Sequence, residues 1–399
     1  MGSMSNARLL MTAKAFRAYG DGFTALLLPV YLTELGLDPF RVGVVATAAM
    51  LGSAALTLGV GLAGHRASAR RLLMASCALM LATGVAFSQA HAFWPLLVVA
   101  FVGTLNPSSG DVSVFVPLEQ AMLAHAGPDV TRTSRFALYN VIGATAVALG
   151  ALSVGLVDPL AAALGRPRGA LIEGAFVLYG LLGVAAFLVY RRLSDDTAEG
   201  AAPRTGLGPS RKRVFQLAAL FSLDSFGSGF FISSLLALWL FHRFGLSLAG
   251  AGAFFFWTGL LTGASQFAAV WLSRRFGLIN TMVFTHIPAN LCIVAAAFAP
   301  SLPLALGLLT VRAALSNMDV PARTSYVMAV VTPPERAAAA GVTNVPRSLA
   351  AALSPALAGL MLGAASFPWP LLIGGGLKIV YDLLLLAQFQ RVKPPEESP

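Results

Sequence analysis

The sequence predicts an all-α polytopic membrane protein of twelve transmembrane helices, arranged as two pseudo-symmetric six-helix bundles. Composition, the recurrence of long apolar runs and an internal repeat carry this expectation. Of 399 residues, 57% are hydrophobic and only 11% charged, against roughly 25% charged in a soluble domain. Apolar runs recur along the whole chain, each near or above the ~20 residues that a bilayer-crossing helix needs. They place spans at Leu9–Glu34, Val42–Gly61, Leu72–Ser88, Phe93–Ala124, Phe136–Val157 and Ala170–Tyr190. The second six are Val214–Phe241, Ala251–Leu272, Met282–Ala299, Leu302–Val331, Ala337–Leu362 and Trp369–Gln390. Met1-Gly2-Ser3 before Met4 reads as a cloning remnant, and no cleavable signal peptide is expected before the first span.

The one clear hydrophilic break follows Tyr190 and runs from Arg191-Arg192 through Gly206 to Lys212-Arg213. It divides the chain into a bundle at 1–192, a cytoplasmic linker at 193–213 and a second bundle at 214–399. The halves match at nearly constant offset. Gly36-Leu37 corresponds to Gly245-Leu246 at 209 residues, and Asp111-Val112 to Asp319-Val320 at 208. Arg66 corresponds to Arg275 at 209, and Asn140-Val141 to Asn344-Val345 at 204.

The net charge of +10 invites a nucleic-acid partner, but its distribution argues against one. With a cytoplasmic N-terminus, Arg66, Arg70, Arg71, Arg132, Arg135, Arg191, Arg192, Arg274, Arg275 and Arg391 all fall inside. Arg41, Arg166, Arg168 and Arg243 fall outside. This is the positive-inside bias, and it predicts both termini in the cytoplasm of a multi-pass protein of the cytoplasmic membrane. Cys77 and Cys292 sit within apolar runs, match no metal-ligand spacing and are expected as small buried hydrophobes. No Walker loop, Gly-x-Ser-x-Gly or His-Glu-x-x-His is present, so neither an ATP-driven device nor an enzyme is expected, and no cofactor.

Between the second and third spans the chain reads Gly61-Leu62-Ala63-Gly64-His65-Arg66-Ala67-Ser68-Ala69-Arg70, and the second-half copy ends Arg274-Arg275-Phe276-Gly277. Together with twelve spans and a central loop, this resembles the major facilitator superfamily, whose loop has the form Gly-x-x-x-Asp-Arg-x-Gly-Arg-Arg. His65 stands where the family has its acid, and Ser68 where it has glycine. The resemblance implies secondary transport by alternating access, a symporter or antiporter, with helices one, four, seven and ten lining a cavity. It also implies a cytoplasmic gate, to which His65, Arg66, Glu119, Arg132, Arg274 and Arg275 are assigned.

An ionisable residue in hydrocarbon costs about 2.5 kcal/mol or more and is a functional candidate by default. Asp21, Asp111, Asp224 and Asp319 fall in the first, fourth, seventh and tenth spans, one in each cavity-type helix, and are the proton-coupling candidates. Arg17, four residues before Asp21, shares its helical face, and pairing with Asp21 or Asp111 is expected. Asn106-Pro107-Ser108-Ser109-Gly110-Asp111 and Asn317-Met318-Asp319-Val320-Pro321 should break their helices, which is tolerated in a membrane only against protein or water. Arg17, Asn106, Arg312, Asn317 and Arg347 are the substrate-binding candidates, guanidinium being suited to carboxylate or phosphate. Glu119 is expected to meet Arg132 or Arg135. Lys378 and Asp382 read as a structural pair, and His286 as a satisfied core histidine.

These residues lead to a proton-coupled carrier of a small polar or amphiphilic solute. Its partners would be that solute, protons and the lipid bilayer, with no nucleic acid, and a monomer is expected. The alternatives are an organic-anion facilitator and a non-transporting receptor or lipid-handling protein.

Overall fold

The computed structural model describes residues 5–63, 68–108, 113–126, 132–194, 208–332, 335–364 and 368–390, and the described residues are helical nearly throughout, without strands. Spans one to three are α1 (Asn6–Glu34), α2 (Pro39–Ala63) and α3 (Ala69–Gln89). The fourth is broken into α4 (Phe93–Val102) and α5 (Phe115–His125). The fifth is α6 (Arg132–Ser153), which runs through a 3-10 turn into α7 (Val157–Leu164), and the sixth is α8 (Arg168–Tyr190). The seventh comprises α9 (Arg211–Gly229) and α10 (Ser233–Phe244), and α11 (Leu248–Phe276) and α12 (Leu278–Ala297) follow. The tenth splits into α13 (Leu302–Leu315) and α14 (Asp319–Ala329), before α15 (Arg336–Ala364) and α16 (Trp369–Phe389).

Among the described residues, nine segments are long and apolar enough to cross a membrane. The three remaining spans are α1, which carries Lys14, Arg17 and Asp21, and the two spans whose helices break. The first break holds Gly103, Asn106, Pro107 and Ser108, and the second Ser316-Asn317-Met318 with Pro321 in the first turn of α14, both at the positions where the sequence predicts interruption. At the first, the Asn106 carboxamide oxygen accepts from the backbone N–H and the hydroxyl of Ser108, at 3.0 and 2.7 Å. That turn satisfies backbone which a continuous helix would have bonded internally.

The chain forms two compact units, residues 1–200 with 232–257, and residues 201–231 with 258–399. In the first, α1 packs on α6 and α8, α3 on α8, and α2 on α4; α10 also lies against α1. In the second, α9 packs on α15 and α16, and α12 on α16, α13 and α14. The same pairs of spans therefore recur: first with fifth and sixth, third with sixth, and their counterparts in the second repeat. The helix ends repeat as well. Gly36 (φ 78°) and Gly245 (φ 63°) both take the left-handed conformation that glycine adopts without strain. Leu37 and Leu246 then reach back to the carbonyls of Leu32 and Leu240.

Close helix approach needs small residues here. A Cβ on Gly22 of α1 would stand 2.1 Å from the Val147 carbonyl oxygen of α6, and one on Gly150 of α6 would stand 2.1 Å from the Tyr19 carbonyl oxygen. Without a hydrophobic drive between helices in lipid, such backbone contact is a main source of packing energy. Large apolar side chains face outward on many helices, among them Trp94, Phe267, Phe284 and Phe298, each more than 60% exposed. On a water-facing surface this would be an aggregation hazard; on a lipid-facing one it is the expected solvation.

Outside the spans, Glu335 fastens the start of α9 to the loop before α15. It accepts from the Thr332 hydroxyl (2.5 Å) and the Gly208 backbone N–H, and Ser210 Oγ accepts from the Thr332 backbone N–H at 3.4 Å. The Thr332 hydroxyl, then Ser210 and the Gly208 N–H, hold its carboxyl down at about 2, below the ordinary 4.5.

Candidate functional site

Each unit buries one ionic cluster. In the first, Arg17 of α1 and Glu119 of α5 form an ion pair with side chains 3% and 0% exposed. The Tyr139 hydroxyl of α6 donates to Glu119 Oε2, and the Tyr190 hydroxyl of α8 to Oε1, both at 2.6 Å. Arg17 Nε in turn donates to the Tyr190 oxygen at 3.1 Å, and its guanidinium lies over the Phe115 ring, 3.9 Å from the centroid. One cation, one anion and two hydroxyls from four helices satisfy each other. A buried pair persists only when its remaining donors and acceptors are filled in this way.

Arg17 is thus bound to Glu119, not to Asp21 as its four-residue spacing predicts. The pairing with Asp111 lies outside the described residues, as do His65 and Arg66. Glu119, expected to meet Arg132 or Arg135, is turned inward because two tyrosines and Arg17 offer three donors to its two oxygens. The Arg132 side chain also lies outside the described residues. Asp21 is half-buried, and among the described residues its carboxylate makes no ion pair or hydrogen bond. The cations on its helix face are engaged elsewhere: Arg17 with Glu119, and Lys14 over the Tyr139 ring at 5.2 Å. Arg274 and Arg275 are exposed at the end of α11, with Arg275 over the Trp271 and Phe276 rings.

The second unit holds a larger cluster. Asp224 of α9 accepts from Lys378 of α16 at 2.5 Å and from Arg323 of α14 at 3.2 Å. Arg323 also pairs with Asp319, one helical turn before it, at 3.2 Å. His286 of α12 places Nδ1 2.8 Å from Asp382 Oδ1 and Nε2 3.9 Å from Asp224 Oδ1. Asn290 donates to Asp382 Oδ2 at 3.1 Å, and Lys378 also reaches Ser228 at 2.7 Å. Lys378 and Asp382 therefore share a cluster but bond to different partners. Four helices supply six buried ionisable groups.

Arg347 of α15 donates from Nε to the Ser225 hydroxyl at 2.8 Å. Arg312 of α13 lies over the Phe231 ring at 4.8 Å and, among the described residues, forms no ion pair; its Nε is buried without a hydrogen-bond partner. Asn317 is half-buried in the break between α13 and α14. Arg323, Tyr139 and Tyr190 were missed by sequence reasoning. For Arg323 a signal existed, since it stands four residues after Asp319; for the tyrosines none did.

Fold and site together define a multi-span membrane protein with duplicated helices and an ionisable cluster buried in each repeat. The sequence profile of the Major Facilitator Superfamily matches residues 10–315 and 217–399, and the chain belongs to that family of membrane transporters. A relative, an uncharacterized membrane protein of Saccharomyces cerevisiae, is 25% identical over 418 residues, covering 96% of this chain and 93% of its own. Among solved structures, the nucleoside transporter NupG is similar with a TM-score of 0.72 at 16% identity, over 97% of this chain and all of that one. A bacterial homolog of the human lysosomal transporter Spinster, inward-facing and occupied, gives 0.75 at 14% identity, over 97% of each chain. The human organic anion transporter MFSD10 gives 0.64 at 17%, over 95% of this chain and 98% of that one. At these identities the solved structures speak for the fold alone.

Proposed function

We propose that this protein is a proton-coupled secondary transporter that moves a small polar or amphiphilic solute by alternating access. In this reading it works as a monomer in the cytoplasmic membrane, with both termini inside and the bundles divided at residues 193–213. The observation that carries the proposal is Asp21: a half-buried carboxylate in a membrane-spanning helix, without an ion pair among the described residues while Arg17 and Lys14 are engaged elsewhere. A lone carboxylate in that setting relieves its charge by taking a proton or a cationic group. Asp224, by contrast, is fully engaged with Lys378 and Arg323, so Asp21 is the first place for proton exchange in the first unit.

The test pairs ligand binding with flux. Purified protein is screened for thermal stabilisation by nucleosides, organic anions and amphiphilic cations at pH 5.5 and 7.5, with Asp21→Asn alongside. A ligand at ~100 times its dissociation constant should add about 2.7 kcal/mol. A hit carried into liposomes should then be driven by an imposed pH gradient in the wild type and not in Asp21→Asn. Flux that ignores the gradient would refute proton coupling. It would favour an organic-anion facilitator, for which Arg312, a guanidinium without a carboxylate partner among the described residues, is the specific support. Binding without flux would point to a receptor instead.

A further inference from the structure

We infer that His286 and Asp382 form the proton-binding site of the second unit: one exchangeable proton is shared between imidazole and carboxylate. Charge is the first ground. Asp382 is 0% exposed, and among the described residues its two oxygens bond to His286 and Asn290 alone. Lys378 and Arg323 are bonded to Asp224 and Asp319, and Arg347 acts electrostatically on those same two acids. A carboxylate buried without a bonded permanent cation is strongly disfavoured. His286, 2% exposed, is the one group in the cluster able to gain a positive charge.

Hydrogen-bond geometry is the second ground. Asp382 Oδ2 accepts from Asn290 and Oδ1 meets His286 Nδ1 at 2.8 Å. If Asp382 is ionised, Nδ1 must carry a hydrogen. A neutral ring would then aim the bare lone pair of Nε2 at the Asp224 carboxylate 3.9 Å away. A second proton on the ring replaces that opposed contact with an N–H directed at Asp224. If Asp382 is instead protonated, it donates to Nδ1 and Nε2 again carries the hydrogen. Both descriptions hold the same single extra proton, which belongs to the couple and not to either residue. On release the proton passes to water, leaving a neutral imidazole beside an ionised Asp382.

His286 lies against Asp224 of α9 and against Asp382 and Tyr381 of α16. The helices packed on α12 also carry Arg312 on α13, Asp319, Arg323 and Tyr326 on α14 and Lys378 on α16, and Asn290 and Cys292 lie on its own helix. Two orphans in this group point to a second arrangement: among the described residues the Tyr381 hydroxyl, whose ring meets His286 edge-on at 6.0 Å, and Asn290 Oδ1 are buried without hydrogen-bond partners. Buried polar atoms are almost always satisfied, so each is a site that a shifted hydrogen-bond pattern or a water would fill. The use of this proton in transport rests on the proton-coupled reading above; its presence does not.

The chain has five histidines. The full-length protein with His65, His91, His125 and His242 replaced by Gln keeps His286 as its sole imidazole, and 15N-histidine resonances then report that ring directly. The expected result is a ring protonated at both nitrogens, or a carboxyl proton seen by infrared absorption, with that signature altered in Asp382→Asn and in Asp224→Asn. A ring that stays neutral with no carboxyl proton at any pH from 5 to 9 would overturn the inference, as would a signature indifferent to Asp382→Asn. If a variant fails to fold, the wild-type ring is still read, and a neutral ring with no carboxyl proton still refutes the proposal. Liposome flux without a pH-gradient response would sink the transport reading while leaving the protonated couple at His286 intact, so the two failures are separable.

Discussion

The Arg17 and Asp224 clusters occupy matching helices of the two repeats with the signs of charge exchanged. The first places its cation on span one and its acid, Glu119, on span four; the second places its acid on span seven and its cation, Arg323, on span ten. The members are 207 and 204 residues apart, inside the 204–209 range of offsets that relate the repeats as a whole. What differs is closure. The first cluster is a neutral pair capped by two hydroxyls, whereas the second adds two acids, a lysine and a histidine, with Asp382 bonded to an imidazole and an amide in place of a permanent cation. Opposite charges bridging the same helices are interchangeable as a fastener, while surplus ionisable groups are a capacity for change.

Breaking the closed cluster should cost most. Arg17→Met or Glu119→Leu alone leaves one buried charge unpaired and should destabilise by about 3–5 kcal/mol, whereas the double substitution should recover most of that loss. Unfolding of the purified variants measures this, and additive losses would refute the idea of a closed pair. Lys378→Met should cost less, about 2 kcal/mol, because Asp224 retains Arg323 at 3.2 Å and His286 at 3.9 Å. Equal losses in the two units would erase the distinction drawn between them. Tyr190→Phe should cost about 1.5 kcal/mol and exceed Tyr139→Phe, since Tyr190 bonds both Arg17 and Glu119 while Tyr139 bonds only the acid.

The smallest effect lies outside both clusters and serves as a control. With its folded value at about 2, below the ordinary 4.5, Glu335 contributes stability that is present above pH ~4.5 and is lost as the pH falls toward 2. Glu335→Gln should therefore be less stable than wild type at pH 6, and the gap should close on acidification. A gap that stays constant with pH would assign it to packing.

The twelve spans and the repeat were legible because both rest on long-range averages, apolar runs and constant offsets, which single residues cannot blur. Buried charge was legible residue by residue: Arg17, Asp21, Glu119, Asp224, Asp319, Lys378 and Asp382 all stood out against apolar neighbours. Partner choice was not. Spacing along α1 favoured Asp21 for Arg17, but Glu119, 102 residues away, has two tyrosine hydroxyls to complete its shell. A contact across helices depends on which faces meet, and one helix alone does not encode that. His286 looked inert for the same reason, since its significance comes from carboxylates on two other helices, Asp224 and Asp382.

The reach of these bonds along the chain bears on how the protein is made. A helix as charged as α1 enters lipid poorly by itself, each Lys, Arg or Asp at its centre adding about 2.5–3.5 kcal/mol to insertion. Arg17 finds Glu119 after another 102 residues are synthesised and Tyr190 after 173; Asp224 waits 154 residues for Lys378. The first repeat therefore balances this charge once α5 is made and fills its last hydrogen bonds with α8, whereas the second leaves Asp224 without Lys378 until its final helix is delivered. A nascent chain stalled before Lys378 would carry an incompletely paired carboxylate in the bilayer.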